Sequence, residues 1–154
     1  MKGNEKVIET LNVLLREELT AISQYMVHAE MYEDWGYDKL GDAEQHRAIE
    51  EMKHAEKLIA RILFLEGRPI VSELDVINIG KTVDEMLKND LLLETDAVKK
   101  YNDAIKLVIT EKDNGTKELL DAILADEEEH VNFFEEQLGQ IDQMTLPFFL
   151  STIK

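Results

Sequence analysis

The sequence predicts an all-α protein, a bundle of four long helices joined by two tight turns and one long crossover connection. Apolar residues recur at helical spacing through four segments, each long enough to rise roughly 40 to 45 Å. The chain has only two prolines and seven glycines, and most of them fall between these segments. The second connection has no helical period, so it must cross the length of the bundle.

The first helix is predicted over about Glu5–Asp34 and the second over about Lys39–Glu66. Trp35–Asp38 interrupts the apolar pattern between them, and Asp38 is the predicted N-cap of the second helix. The second helix is predicted to stop at Gly67–Pro69.

The crossover is predicted over Ile70–Lys81, an apolar but aperiodic stretch that we expect to lie extended along the bundle. A capping box at Thr82-x-x-Glu85 opens the third helix, which is predicted to reach about Lys112. Asp113–Gly115 is a predicted turn, and the fourth helix continues to about Gln140. A short apolar tail, Leu146–Ile153, follows.

The length, charge and cysteine content of the chain exclude several classes of partner and binding site. At 154 residues the chain is most simply one domain, 1–154. Its formal net charge of −16 argues against nucleic acid or an anionic membrane surface and suits a protein that attracts cations, although solubility alone also explains it. The absence of cysteine excludes disulfides and thiolate metal sites. No signal peptide or membrane-spanning run is evident, so we expect a cytoplasmic protein.

A pattern suited to metal binding occurs twice. A glutamate followed three residues later by a histidine occurs in the second and fourth predicted helices, and residues at this spacing share a helix face. A lone glutamate precedes each pair by the same separation, and all three positions of the first set recur at one constant offset in the second. This is the ligand set of di-iron and di-manganese carboxylate bundles. The residues are Glu18, Glu51 and His54 in the first set and Glu94, Glu127 and His130 in the second.

These charged residues occupy apolar core stripes, where an unpaired carboxylate is very unfavourable. Two divalent cations would neutralise four carboxylates, and carboxylate with imidazole ligands suits iron or manganese. Without metal, we expect all four acids to retain protons above the usual carboxylate range. With iron, the natural chemistry is electron transfer to O₂ or peroxide. Tyr25, near Glu18, could donate an electron, although packing is the simpler role for a core tyrosine.

Longer strings within the sequence resemble the bacterioferritins, the haem-containing bacterial branch of the ferritins. The resemblance covers essentially the whole chain. It implies a ferritin-like four-helix bundle with a short C-terminal fifth helix, formed by the apolar tail. The strings that carry it are Met1-Lys2-Gly3, Glu51-Met52-Lys53-His54-Ala55, Arg61-Ile62-Leu63-Phe64-Leu65-Glu66-Gly67, Asn78-Ile79-Gly80 and Asp126-Glu127-Glu128 with His130.

The resemblance implies a ferroxidase that oxidises Fe(II) and stores ferric mineral in a hollow homo-oligomeric shell of 24 subunits built from two-fold dimers. Glu51 and Glu127 would bridge the two irons, and Glu18 and Glu94 would each be terminal to one. The oxidant, O₂ or H₂O₂, stays open. By the same resemblance, a small ferredoxin could supply electrons for iron release.

Three further residues are candidates for ligands. Met52 lies on an apolar flank of the second helix, away from the predicted di-metal site, which indicates a partner surface. The resemblance implies that Met52 from each of two subunits ligates one haem b at a two-fold interface. His46 and Glu50 could hold a further iron on the inner shell surface, or form only a solvated pair. His28 is interpreted as structural.

Two alternatives remain at the sequence level. One is a di-iron oxidase or peroxidase outside storage, resembling rubrerythrin, although that family usually adds a cysteine-rich iron site and this chain has no cysteine. The other is a structural bundle with surface acids, which the core positions of those acids disfavour.

Overall fold

The computed structural model describes residues 1–154 and contains five helices and no strands. They are α1 (Glu5–Asp34), α2 (Asp38–Phe64), α3 (Val83–Thr110), α4 (Asn114–Met144) and α5 (Leu146–Thr152). α1 packs against α2 and α3 against α4, and no helix lies between Phe64 and Val83. The predicted bundle with one long crossover and a fifth helix is therefore confirmed.

The helix ends follow local hydrogen bonding, and several differ slightly from the prediction. Asn4 caps α1 by accepting from Lys6 N at 2.8 Å. The prediction that Asp38 is an N-cap is wrong, because Asp38 is the first helical residue and Tyr37 precedes it without a side-chain cap. There the acid still interacts favourably with the helix N-terminus.

The boundaries of α3 and α4 also differ slightly from the prediction. Thr82 caps α3 by accepting from Glu85 N, but Glu85 accepts from Lys81 N, so only half of the predicted capping box forms as expected. Asp113 caps α4 by accepting from Thr116 N at 2.9 Å, so the last two residues of the predicted turn are already helical. α4 also extends beyond Gln140, because Ile141 and Met144 pack against the apolar core.

The core consists of two apolar clusters, one toward each end of the bundle. The lower cluster surrounds Leu11, Leu58 and Leu120 and lies near the start of α1. The upper cluster surrounds Tyr32, Met86 and Phe149 and includes α5. Most of the buried charged residues form the site described below, between the two clusters, whereas His28, Glu44 and Asp90 lie among the residues of the upper cluster.

The crossover lies along α1, held by side chains spaced four or eight residues apart. Its backbone amides at Ile70, Asp75, Asn78 and Gly80 donate to α1 side chains at 2.9–3.1 Å. The acceptors are, in the same order, Asn12, Thr20, Gln24 and His28, and we call this set the α1 ladder. Side chains at this spacing share one helix face, so α1 provides a continuous track for an extended chain. This confirms the predicted course of the crossover.

Gly80 ends the crossover where it approaches α3. A Cβ atom at this position would lie 2.4 Å from the backbone nitrogen of Met86, so no side chain can be accommodated there without backbone movement. None of the helices carries an apolar stretch long enough to cross a bilayer.

Candidate metal centre

The six residues predicted from the repeated motif meet in the middle of the bundle. Each is at most 3% exposed. Their ligand atoms form two groups, each with all atoms within 4.8 Å of one another. One group contains Glu18, Glu51, His54 and Glu127, and the other contains Glu51, Glu94, Glu127 and His130. Glu51 and Glu127 belong to both groups, which suits the bridging role expected for them.

The imidazoles present their Nδ1 atoms to the carboxylates. His54 Nδ1 lies 2.9 Å from Glu127 Oε1 and 3.0 Å from Glu51 Oε2. His130 Nδ1 lies 3.0 Å from Glu51 Oε1 and 3.1 Å from Glu94 Oε1. The two oxygens of Glu51 therefore face different histidines, and Nδ1 is the ring nitrogen available to a metal in each half.

A carboxylate outside the six residues contacts the far side of each imidazole. Asp126 Oδ2 lies 2.9 Å from His54 Nε2, and Glu50 Oε2 lies 2.7 Å from His130 Nε2. A carboxylate on the second nitrogen of a ligating histidine fixes its tautomer and orientation. Sequence reasoning missed this role for both acids. The repeat contained a partial signal, because Glu50 and Asp126 each directly precede a motif glutamate.

Two tyrosines also connect the halves of the site. The Tyr25 hydroxyl donates to Glu94, and the Tyr101 hydroxyl donates to Glu18, so each helix of the α1–α3 pair binds the motif glutamate of the other. Both rings are fully buried. Tyr25 is thus more than the packing residue that sequence reasoning favoured, and Tyr101 has the equivalent contact.

The electrostatics only partly match the expectation for a metal-free site. Burial, together with the other carboxylates, raises the pKa of Glu51 and of Glu127 well above the ordinary range. The expectation that all four acids keep protons is wrong for Glu94. Burial raises its pKa, but hydrogen bonds from His130 and Glu127 outweigh burial and lower the pKa to about 2.

The histidines take up positive charge in response. Burial lowers the pKa of His130, but the hydrogen bond and charge of Glu94 outweigh it and raise the pKa to about 9. Burial likewise lowers the pKa of His54, and hydrogen bonds to Glu127, Glu18 and Glu51 reverse the shift. In the metal-free site, protons on the imidazoles take the place of cations.

The donor set fits two divalent cations. No lysine or arginine forms a salt bridge with any of the six residues. Glu94 Oε2 is buried and lacks a hydrogen-bond donor, a costly state that a cation between the carboxylates would relieve. Oxygen and imidazole donors without thiolate suit iron or manganese.

The other predicted ligands lie outside this centre. His46 is exposed, and its Nε2 lies 3.2 Å from Glu50 Oε1, so Glu50 stands between His46 and His130. Met52 is 44% exposed although it directly follows the buried Glu51, and Ile49 on the same helix is also exposed. His28 is fully buried and belongs to a separate group with two acids that sequence reasoning did not identify, Glu44 and Asp90.

Comparisons with known proteins agree with this architecture. Residues 8–144 match the family model of the ferritin-like domain. The chain is 47% identical to a bacterioferritin of Rhodobacter capsulatus over 144 residues, which cover 94% of this chain and 89% of that protein. It is 44% identical over 153 residues to a bacterial ferritin of Pseudomonas aeruginosa, covering 99% of each chain. It is 43% identical over 153 residues to a bacterial ferritin of Synechocystis, covering 99% of this chain and 98% of that one.

Proposed function

The chain belongs to the bacterioferritin branch of the ferritin-like family, and we propose that it is an iron-storage ferroxidase, which oxidises Fe(II) at the six-residue centre. The observation that carries this proposal is the pair of ligand groups sharing Glu51 and Glu127. Two shared carboxylates allow two Fe(II) ions to bind side by side, so that one oxidant can take an electron from each. The oxidant is O₂ or H₂O₂.

Each part of the centre has a distinct task. Glu18 with His54 holds one Fe(II), and Glu94 with His130 holds the other. Binding requires neutral imidazoles and ionised carboxylates, so the protons held by His54, His130, Glu51 and Glu127 must leave. Glu50 and Asp126, which contact the outer nitrogens of the imidazoles, keep the proton on Nε2, so that Nδ1 is the nitrogen that gives up its proton to bind Fe(II).

Storage requires a cavity that a single bundle lacks. We propose that the subunits assemble into a hollow shell of 24 copies, with oxidised iron deposited inside as ferric mineral. His46 and Glu50 would bind iron on the inner surface. The Glu50 carboxylate, shared between His46 and His130, would then link that surface to the centre.

Met52 suits a haem ligand at an interface between two copies. It is exposed on an apolar flank, and Met52 from each of two copies related by a two-fold axis would hold one haem between them. The haem would supply one-electron transfer between the mineral and an external donor. We propose a ferredoxin as that donor for iron release.

Iron retention tests the proposal. Metal-free protein receives a large excess of Fe(II) in air, is separated by size, and is assayed for iron per subunit. We expect far more than two irons per subunit in a very large particle. About two irons per subunit without a large particle would instead indicate a non-storage di-iron oxidase resembling rubrerythrin, and no retained iron would reject the centre itself.

A further inference from the structure

Two buried tyrosines each place a phenol in direct contact with a predicted ligand of the metal centre. Tyr25 lies on α1 and donates to Glu94 on α3, whereas Tyr101 lies on α3 and donates to Glu18 on α1. Both tyrosine side chains are 0% exposed. The two contacts cross between the same pair of helices, and each half of the centre receives one of them.

The internal repeat preserves these two tyrosines and no others. The offset that relates the motif glutamates of α1 and α3 also relates Tyr25 to Tyr101. Tyr32 corresponds to Val108, and both of these side chains are fully buried, so an aliphatic residue satisfies the packing there. The fourth tyrosine of the chain, Tyr37, has no tyrosine counterpart either. A phenol is therefore repeated only where its hydroxyl meets a motif glutamate.

Each of these glutamates divides its two oxygens between the tyrosine and the centre. Glu94 Oε1 accepts from the Tyr25 hydroxyl, while Glu94 Oε2 is buried and has no donor. Glu18 Oε1 accepts from the Tyr101 hydroxyl, while Glu18 Oε2 faces His54 Nδ1 at 3.7 Å. One oxygen of each glutamate is thus available to Fe(II) while the other keeps its contact with a phenol.

This contact is what the oxidation of a tyrosine requires. A phenol that loses an electron becomes a very strong acid, so it gives up the electron readily only where a base within hydrogen-bond reach takes the proton. Glu94 has that position for Tyr25, and Glu18 has it for Tyr101. Tyr32 provides the contrast, because its hydroxyl is buried without a hydrogen-bond partner.

No other side chain is similarly placed to give single electrons to the centre. The chain has no cysteine, and its one tryptophan, Trp35, lies beyond the end of α1 and is 39% exposed. Phe134 packs against Tyr25, with 5.9 Å between the ring centroids, but it has no hydroxyl. Tyr25 and Tyr101 are therefore the oxidisable rings that contact the ligand set.

We propose that Tyr25 and Tyr101 act as a pair of one-electron donors, which allows one centre to reduce O₂ completely to water. This role rests on the proposed ferroxidase function, with O₂ as the oxidant. Cleavage of O₂ to two water molecules takes four electrons and four protons. Two Fe(II) ions supply two electrons, and the two phenols supply the other two together with two protons. The remaining two protons come from solvent. The products are two Fe(III) ions, two tyrosyl radicals and two water molecules.

Two further Fe(II) ions return the tyrosines to their starting state. Each ion gives one electron to a tyrosyl radical and becomes Fe(III), and the radical takes up a proton from solvent to form the phenol again. The complete cycle therefore consumes four Fe(II) ions for each O₂, although the centre binds two at a time. Without the two phenols, a pair of Fe(II) ions supplies only two electrons, and O₂ is reduced to H₂O₂.

Freeze-quenched electron paramagnetic resonance of the assembled protein tests this role. Metal-free protein is loaded without air with two Fe(II) ions per subunit, mixed with O₂ and frozen at increasing times. We expect an organic radical signal that narrows when the protein contains ring-deuterated tyrosine. One H₂O₂ for each pair of Fe(II) ions should give no such signal, because H₂O₂ needs only the two electrons that the iron supplies.

Phenylalanine variants assign the signal to its residues. Tyr25→Phe and Tyr101→Phe should each leave the tyrosyl signal of the other residue, and the double variant should have none. The double variant should also consume two Fe(II) ions per O₂ instead of four and release H₂O₂, measured with an oxygen electrode and a peroxidase-coupled dye. Tyr32→Phe is the matched control, because it removes a buried hydroxyl that contacts no ligand, and it should behave as the wild type.

Several results would overturn the role of the pair. These are a tyrosyl signal that survives in the double variant, a signal unchanged by Tyr101→Phe, a loss of signal in Tyr32→Phe, or an equal signal with H₂O₂. A merely structural role for Tyr101 would alter the rate of oxidation without changing the radical or the ratio of Fe(II) to O₂. Oxidation of Fe(II) by the wild type without a tyrosyl signal would reject this role alone, whereas no oxidation of Fe(II) would reject the ferroxidase itself.

Discussion

The two ends of the bundle core, on either side of the candidate metal centre, use different chemistry for equivalent positions. The lower layer packs Leu14, Ala104 and Leu120 without a polar atom from a side chain. At the equivalent positions of the internal repeat, the upper layer holds His28, Glu44 and Asp90, and His28 accepts a hydrogen bond from the backbone amide of Gly80 in the crossover. At the centre itself, by contrast, the two halves of the chain contribute matching glutamates, histidines and tyrosines.

This contrast shows where the internal repeat is preserved and where it is broken. Two equal metal positions require equal ligands, so the halves match at the centre. The chain connection is not symmetric, because only one crossover runs along the bundle, and it runs along α1. The repeat is therefore broken where side chains must accept the amides of that crossover.

The largest effect on stability is expected from a substitution in the apolar lower layer. Leu120→Ala should lower the free energy of unfolding by about 2–5 kcal/mol, because it leaves a cavity in a fully buried layer. Glu44→Gln, at the equivalent position of the polar end, should lower it by less, because the amide has nearly the size of the carboxyl group and leaves no cavity. Chemical denaturation of metal-free protein measures both. Equal losses of unfolding free energy in the two variants would mean that the two layers do not differ in how much packing contributes to stability.

Next in size is the loss of a shared carboxylate. Glu51→Ala and Glu127→Ala should each slow the initial rate of Fe(II) oxidation on the order of 100-fold, because both metal positions lose a ligand. Stopped-flow absorbance after mixing with aerated Fe(II) measures the rate. Glu128→Ala is the matched control, since Glu128 is exposed beside Glu127 and should behave as the wild type. A large difference between the two ligand variants would show that the halves are not equivalent.

A smaller loss is expected from the acids behind the histidines. Glu50→Gln and Asp126→Asn should each slow Fe(II) oxidation by about tenfold, because the imidazoles lose the partner that fixes their orientation. Similar losses would extend the symmetry beyond the six ligands. If only the Glu50 variant also stores less iron, the contact of Glu50 with His46 has a separate role in moving iron inward.

The smallest expected effect is a change in the free energy of unfolding with pH, measured without mutation. The pKa of His130 is raised to about 9 in the metal-free fold, so its stabilising contribution is complete below an unfolded value of about 6.5 and is lost as pH rises to about 9. Metal-free protein should lose at most about 1.4 kcal/mol per pH unit from this group over that window. Denaturation at several pH values, repeated with Mn(II) bound, measures it. If the free energy of unfolding shows the same pH dependence with Mn(II) bound, the ion does not replace the proton on His130.

Much of this arrangement could be predicted from the sequence, because helical periodicity links chain position to direction. Glu127 and His130 are three residues apart and interrupt an apolar stripe, so the pattern alone places both side chains toward the core. The same reasoning predicted the four long helices and the extended crossover. Errors at helix ends were small, as at Asp38, where a cap and a first-turn acid look alike in sequence.

The contacts between helices could not be predicted in this way. Tyr25 binds Glu94, and Asp126 faces His54, across distances in sequence that no local pattern connects. The lowered pKa of Glu94 depends on which donors reach it, and the sequence indicated only that four acids would be crowded. Glu44 and Asp90 resemble ordinary helix acids until the fold buries them beside His28.

The helices, the faces they bury, the repeat and the six candidate ligands could all be predicted from the sequence, because each of them depends on spacing along one helix. Which carboxylates are shared, which partner each imidazole nitrogen faces and which acids keep a proton became clear only from the folded structure. Those properties depend on distances between side chains on different helices and on the removal of water from between them. Only the packing of the helices sets both.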